Sequence, residues 1–442
     1  MITRTVKLDD SALFNTSCRD ISSCLGSCTP PVASSADDYL FFDIETTGLS
    51  PKDSYLYLIG CIYETAEGPV LTQLFSEDIS EESLIINEFC DLLRAHDILI
   101  HYNGSTFDVP FLNARAAANG ISLPPVRAQV DIYKEIKPLK NIFGLKSLRM
   151  KAVEELLGIA REDMYDGGEL IEFYIKYSAL KKINRIKKSE DRDFSLYGSA
   201  FSDNTGLRRI GNTDCRELLR LLLLHNCEDV VNMLELSRLL SVCGFFSGAF
   251  TVGEVSTGSA GSGVFIDLYP DDPAVIGLLT RFLGTRTRTR FGNSGSSTAA
   301  QPGSGHFTLS VSVPGSSNLT VKCTVSPVSS VRLELETYAE EMKLFFPDYK
   351  NYYYLIYEDY AVHKSIGQFI DKERCVKCTA ANCYTRKTGE FLPVPAKKGG
   401  ALADRLYLYR RNAPDKTCFV LADDLISNAE AAEMYVLQLF GP

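Results

Sequence analysis

Tyr39-Leu40-Phe41-Phe42-Asp43-Ile44-Glu45-Thr46-Thr47-Gly48-Leu49 is the stretch on which the fold turns. A short apolar run, fit for a buried strand, passes into two carboxylates and then a turn containing Gly48. Residues two apart in a strand project to the same side, so Asp43 and Glu45 place two carboxylates together. Close carboxylates repel, and one would ordinarily keep its proton. A divalent cation removes the conflict, and all-oxygen ligands suit Mg²⁺ or Mn²⁺. Taken alone, the same residues also fit a strand that ends in an acidic turn.

Working outward, residues 55–63 and 70–75 read as two more strands, and the short connections make all three neighbours in one sheet. Residues 81–96 carry Leu84, Ile85, Phe89, Leu92 and Leu93 at helical spacing, with Glu81 and Glu82 in the first turn where the dipole favours them. A fourth strand is expected at 98–102. A helix is expected at 108–119, with Pro110 in its first turn and Gly120 just past its end. A fifth strand is expected at 126–133. Residues 147–157 read as a helix capped by Ser147 and closed by Gly158. Helical segments at 168–180 and 214–240 flank a polar stretch, about 184–213, that has no steady period. The alternation predicts an α/β domain over residues 38–240.

The flanks read differently. Residues 1–37 mix Ser, Thr, Cys and Asp, with Pro30 and Pro31 stopping any helix, and suggest an arm or small cap. Cys18, Cys24 and Cys28 lie there without a matching ligand pair for zinc. Thirteen of the 31 glycines fall between Gly244 and Gly315. Residues 241–305 therefore read as a Gly/Ser/Thr-rich connector, partly disordered, most clearly at 292–305. Beyond it, 306–313, 319–325 and 331–337 alternate apolar and polar residues, as in an antiparallel sheet with one wet face. With a strand at 352–357 and a closing helix at 428–440, residues 306–442 form a small β-rich α+β domain of unassigned role. Cys375, Cys378 and Cys383 invite a zinc reading, but buried free thiols are the plainer one.

Composition narrows the classes. Hydrophobic residues make up 45% and charged residues 23% of the 442, an ordinary globular balance. No apolar run approaches the roughly 20 residues of a spanning helix, and no secretory signal is seen. Thirteen cysteines, an odd number, argue for reduced thiols and a cytoplasmic location. The net charge of −10 means that contact with a polyanion is local or mediated by metal ions.

Two further sites join the first. Asn103-Gly104-Ser105-Thr106-Phe107-Asp108 follows a strand and opens a helix; Asp108 alone would also suit a helix N-terminus. His225 and Asp229, four apart in a late helix, share one face. Together these residues resemble the DEDD exonuclease superfamily, the DnaQ-like nucleases of the ribonuclease H fold. Asp43 and Glu45 correspond to its first motif, Asn103, Phe107 and Asp108 to its second, and His225 and Asp229 to its third. Gly144-Leu145-Lys146-Ser147-Leu148 and Glu154-x-x-Leu157-Gly158-Ile159 look like the bacterial YprB-like group. The superfamily spaces its third motif as H-x4-D or Y-x3-D, and this chain has His at the x3 spacing.

The resemblance implies a mixed five-stranded sheet flanked by helices and a metal-dependent 3′–5′ exonuclease acting on DNA or RNA. Two Mg²⁺ or Mn²⁺ ions would be held by Asp43, Glu45, Asp108 and Asp229, with Asp43 bridging. His225 would orient or deprotonate the attacking water. It also implies single-stranded nucleic acid or 3′ ends as the substrate, with Thr46, Asn103, Phe107 and Lys146 as contacts. Basic residues add candidates: Arg286, Arg288 and Arg290 alternate with Thr, and Lys181, Lys182, Arg185, Lys187 and Lys188 cluster after a helix. A charge run also suits a plain solvated surface. Two other readings stay open: a nuclease-fold module that binds nucleic acid but cleaves weakly or not at all, and a protein-docking scaffold acting through the C-terminal region.

Overall fold

The computed structural model describes residues 1–25, 38–142, 145–189, 214–258, 263–281, 305–316, 318–326, 329–367, 369–395 and 397–441. They form two compact units, Met1–Lys137 with Lys146–Leu240, and Pro138–Leu145 with Ser241–Pro442.

In chain order the first unit contains β1 (Ile2–Lys7), α1 (Ser11–Leu25), β2 (Tyr39–Thr46), β3 (Leu56–Thr65), β4 (Gly68–Phe75), α2 (Glu82–Ala95), β5 (Ile98–His101), α3 (Asp108–Ala118), β6 (Ala128–Asp131) and α4 (Ile132–Glu135). After α5 (Lys137–Ile142), which starts at the unit boundary, come α6 (Met150–Leu157), α7 (Gly167–Ser189) and α8 (Cys215–Ser237). The strands form one sheet in the order β1-β4-β3-β2-β5-β6. β2 pairs parallel with β5, β5 parallel with β6, and the other pairs are antiparallel, so the sheet is mixed.

The five expected strands are all present, and the N-terminal stretch adds a sixth at the sheet edge. β1 pairs along its whole length with β4, from Ile2 opposite Phe75 to Lys7 opposite Val70. Its exposed Thr, Arg and Lys residues hide the strand from a search for apolar runs, yet charge and polarity suit an open edge. α1 follows and buries Phe14 and Ile21, while its Ser17 hydroxyl donates to the Leu234 carbonyl of α8 at 2.7 Å. Residues 1–25 are thus integral to the domain, where an arm or cap was expected.

Both sheet faces are covered. One buries Leu40, Phe42 and Ile59 against Ile85, Phe89 and Leu112 of α2 and α3. The other buries Tyr57, Leu58 and Phe75 against Tyr174 and Tyr177 of α7 and Leu218 and Leu222 of α8. Each such side chain contributes roughly 1.5–3 kcal/mol. Phe42 and Ile44 belong to the first face, so the intervening Asp43 and Glu45 point to the α8 side.

Two boundaries differ from expectation. β6 ends at Asp131, where α4 begins, rather than at 133, because the Asp131 carboxylate is drawn into the loop after β5. α6 starts at Met150, not 147: Arg149 is its extended N-cap, and the Ser147 hydroxyl accepts from the Arg149 N–H outside the helix. Gly158 closes it in the left-handed conformation at φ 70°.

Among the described residues, the second unit holds three small sheets. β7 (Phe250–Thr257), β8 (Val264–Pro270), β9 (Gly305–Val311), β10 (Leu319–Val325) and β11 (Val331–Leu335) pair antiparallel in the order β7-β8-β11-β10-β9. β12 (Tyr338–Phe345), β16 (Tyr384–Pro393), β17 (Tyr409–Arg410) and β18 (Phe419–Leu421) close a barrel. β13 (Tyr352–Leu355) pairs with β14 (Tyr360–His363) on one side and β15 (Cys375–Lys377) on the other. β7 and β8 fall in the stretch whose glycine content suggested a connector; residues 282–304 of that stretch lie outside the described residues. Cys378 and Cys383 are buried in one cluster with Ala361, and Phe346, Tyr349, Tyr352 and Tyr354 pack against it. The closing helix spans Ala429–Phe440, capped by Asn428, whose side chain accepts from the Ala431 N–H. Among the described residues, no helix is long and apolar enough to cross a membrane.

Candidate active site

β2 is buried on both faces until its C-terminal end, where Asp43 and Glu45 become partly accessible. Asp43 lies opposite Gly60 of β3, and the ladder slips at a bulge between Glu45 and Thr46. Gly60 makes room for α8: a Cβ there would lie 2.1 Å from Asn226 Oδ1. Asn226, wholly buried, reaches across this gap and donates Nδ2 to Asp43 Oδ2 at 3.2 Å. Its Oδ1 accepts from Gln73 Nε2 at 3.1 Å, and Gln73 Oε1 accepts from Arg4 of β1 at 3.0 Å. A chain of hydrogen bonds therefore runs from the edge strand to Asp43.

α8 delivers the third motif. Its buried stripe includes Leu218, Leu222, His225, Asn226, Val230 and Met233, the spacing of one helical face. His225 and Asp229 therefore project over the end of β2. His225 Nε2 lies 3.4 Å from Asp229 Oδ2 and 3.6 Å from Glu45 Oε1. Among the described residues, Glu45, His225 and Asp229 are the one trio of potential ligands whose donor atoms all lie within 4.8 Å of one another.

Asp108 enters from the first turn of α3 and is 7% exposed. The loop that aims it is held by Asp131, which accepts from the Asn103 N–H at 2.8 Å and from the Ser105 N–H and hydroxyl. Asn103 sits at φ 61°, a left-handed conformation Asn tolerates better than most residues. The Thr106 hydroxyl donates to the Asn103 carbonyl and side chain, both at 2.9 Å. Gly104 passes over His101, where a Cβ would meet the ring at 2.7 Å.

The carboxylates feel one another strongly. Burial, then Asp108, Asp229 and Glu45, raise the Asp43 carboxyl well above its ordinary range. Burial raises Glu45 to about 8, although His225 opposes the shift. Burial, with Asp131 and Asp229, raises Asp108 to about 7 against the backbone N–H groups of Asp108 and Ile44, which favour its ionised form. Such a cluster is short of positive charge, and its oxygen donors fit hard divalent cations.

Several residues that complete the site carry no motif. Arg161, its side chain 8% exposed, donates Nη2 to Asp229 Oδ1 at 2.5 Å and Nη1 to both oxygens of Glu154 at 3.0 and 3.1 Å. Its Nε lies 3.3 Å from Glu228 Oε2. Asp163 accepts from His225 Nδ1 at 2.6 Å and from Lys151 Nζ at 3.1 Å. The segment 159–166 lacks a steady apolar period, so nothing local shows that it crosses back to α8.

The remaining expected contacts are scattered. Thr46 is buried and spends its hydroxyl on the Gly48 carbonyl at 2.8 Å. Phe107 caps α3 and packs its ring 5.5 Å from that of Phe111. Lys146 is exposed. Leu49, in the turn after Glu45, is 83% exposed. Lys181 and Lys182 pair with Glu77 and Asp78. Arg286, Arg288 and Arg290 lie outside the described residues.

Residues 40–190 match the RNase_H superfamily. No curated protein sequence matches the chain. Similar solved structures include the family B DNA polymerase of Pyrobaculum calidifontis, with 17% identity, 71% of this chain and 35% of the polymerase covered, and a TM-score of 0.33. E. coli exonuclease I in complex with an oligonucleotide gives 14% identity, 34% and 42% coverage, and 0.23. Exonuclease I of Methylocaldum szegediense gives 13%, 66% and 64%, and 0.24. The chain thus spans 35% to 64% of the lengths of these three structures. The first unit is a ribonuclease H-like domain, a mixed sheet flanked by helices, and the region that follows is rich in strands.

Proposed function

We propose that the chain is a metal-dependent nuclease that hydrolyses phosphodiester bonds from the 3′ end of a nucleic-acid strand. The observation that carries this reading is the convergence of Asp43, Glu45, Asp108 and Asp229 at the end of β2, with Asp43, Glu45 and Asp108 all pushed toward protonation. The match of residues 40–190 to the RNase_H superfamily supports it.

In this reading the four carboxylates would hold divalent cations, Asp43 among them because it feels Asp108, Asp229 and Glu45 together. Bound there, the ions would lower the pKa of a water and offset charge on the phosphate and leaving oxygen. The residues around them keep the ligands in place. Asn226 holds Asp43, Arg161 holds one oxygen of Asp229, and the Ile44 N–H helps hold Asp108. Exposed Lys146 and Leu49 offer a phosphate contact and an apolar face for a terminal base. A protein of net charge −10 can in this way bind a polyanion at one point.

The Arg161–Asp229 pair gives a second reading some support. A fixed guanidinium already neutralises part of the cluster, as a nucleic-acid-binding module with weak cleavage would allow. Digestion of 5′- and 3′-end-labelled DNA and RNA, with and without Mg²⁺ or Mn²⁺, separates the two. The expected result is metal-dependent shortening from the 3′ end and a loss of about a thousandfold or more in Asp43→Asn, the several kcal/mol that metal-bound charge stabilisation supplies. Retained binding without cleavage in wild type would favour the second reading.

A further inference from the structure

The third motif holds a histidine both of whose ring nitrogens face carboxylates. His225 is 6% exposed. Its Nδ1 lies 2.6 Å from Asp163 Oδ2. Asp163 is anchored from several sides: Oδ2 also receives Lys151 Nζ at 3.1 Å, and Oδ1 receives the Tyr165 N–H at 3.1 Å. An ionised carboxylate only accepts hydrogen bonds, so the proton of the neutral imidazole sits on Nδ1. The Nε2 lone pair then points at Asp229 Oδ2 and Glu45 Oε1, two more acceptors.

Three acceptors facing one another need a cation among them, either a proton or a metal ion. Distance helps to separate the two. A charge-assisted N–H···O bond is about 2.7–2.9 Å long. Nε2 stands 3.4 Å from one carboxylate and 3.6 Å from the other, and no hydrogen bond among the described residues ends on it. Two ligands each about 2.0–2.1 Å from a tetrahedral ion are roughly 3.4 Å apart. The spacing is that of donors around an ion. Asp229 is set up for a single-oxygen contribution, since Arg161 takes its Oδ1 and leaves Oδ2 toward His225.

We propose that His225 Nε2 is itself a metal ligand, which with Glu45 and Asp229 makes a mixed nitrogen–oxygen site suited to Zn²⁺ or Mn²⁺ rather than to Mg²⁺, and that Asp163 is its positioning residue. The inference rests on the carboxylate-site reading above and sharpens it. Imidazole suits Zn²⁺, whereas Mg²⁺ is held by carboxylates and water. A histidine that ligates a metal almost always donates its other N–H to a carboxylate or carbonyl, which fixes the ring and raises its basicity. Asp163 does this here. A ligating Nε2 has no lone pair left to accept a proton from water, so the assignment takes His225 out of the base role that its motif suggests. It also gives a reason for the x3 spacing: one helical turn brings Nε2 and Asp229 Oδ2 side by side on one ion.

The test reads metal binding, not turnover. Zn²⁺ outbinds Mg²⁺ at most nitrogen–oxygen sites, so the readout is the dependence on His225. Full-length protein stripped by chelator is titrated calorimetrically with Zn²⁺, Mn²⁺ and Mg²⁺, for wild type, His225→Ala, Asp163→Asn, Glu45→Gln and Asp43→Asn. The expected result is a loss of at least tenfold in Zn²⁺ affinity in His225→Ala, with Mg²⁺ affinity changed less than threefold. Asp163→Asn should weaken Zn²⁺ by about tenfold, the usual effect of losing such a support. Pulsed electron paramagnetic resonance on wild-type protein with Mn²⁺ should show coupling to a ligating nitrogen, and this measurement stands even where a variant fails to fold. Bound Mn²⁺ without nitrogen coupling, or unchanged Zn²⁺ affinity in His225→Ala beside lost affinity in Glu45→Gln, would overturn the nitrogen ligand and leave the carboxylate site intact. Wild-type protein that binds none of the ions, or binding unaltered in both Glu45→Gln and Asp43→Asn, would overturn the carboxylate site and the inference with it.

Discussion

Replacing Asp108 by Asn should make the metal-free protein more stable at alkaline pH, although it removes a proposed ligand. Asp108 is 7% exposed, and burial with Asp131 and Asp229 lifts its carboxyl from 3.8 to about 7. Each tenfold change in proton affinity corresponds to about 1.4 kcal/mol, so holding this group ionised in the folded state costs at most about 4 kcal/mol. The sign follows from linkage. Between pH 4 and 7 the folded carboxyl keeps a proton that the unfolded chain releases, so stability falls as pH rises through that window. The cost is absent below about pH 4 and complete above about pH 7. The amide keeps an oxygen to accept from the Ile44 N–H and carries no charge. Urea unfolding with chelator at pH 4.5 and pH 8 measures the effect. The variant's advantage should be at most about 1 kcal/mol at pH 4.5 and should grow to about 2–4 kcal/mol at pH 8. A divalent cation added at pH 8 should stabilise wild type by mass action and narrow or reverse the gap. Equal or lower stability of the variant at pH 8 in chelator would refute the claim that the cluster repels itself.

Two other perturbations probe the support of the site. Arg161→Ala strips the partner from Glu154 and Asp229, and Glu154 is 1% exposed, so a loss of about 3–5 kcal/mol is expected by chemical denaturation, the usual cost of breaking a buried pair. Gly60→Ala would place a Cβ 2.1 Å from Asn226 Oδ1 and should cost about 1–3 kcal/mol. The double variant with Asn226→Ala should recover part of that loss, and strictly additive effects in the double-mutant cycle would contradict the packing described.

What the sequence by itself determined is local. The apolar run 39–42 and the alternate carboxylates after it define a buried strand with an acidic end, because strand periodicity needs no partner to be read. The spacing of Phe89 and its neighbours, and of His225 and Asp229, is likewise a property of one helix. Gly158 marks a helix end through backbone chemistry that is local too. Tertiary structure decided the rest. β1 became an edge strand only through its ladder with β4, since its polar residues carry no burial signal alone. Asp131 looks like any strand-ending acid until the loop carrying Asn103 and Ser105 folds onto it. Arg161 and Asp163 lie more than 60 positions from Asp229 and His225, and their meaning comes from pairing inside the protein, where a buried charge needs a partner that sequence distance does not reveal. Which oxygen of Asp229 is taken, and which nitrogen of His225 is left, are facts of that packing alone.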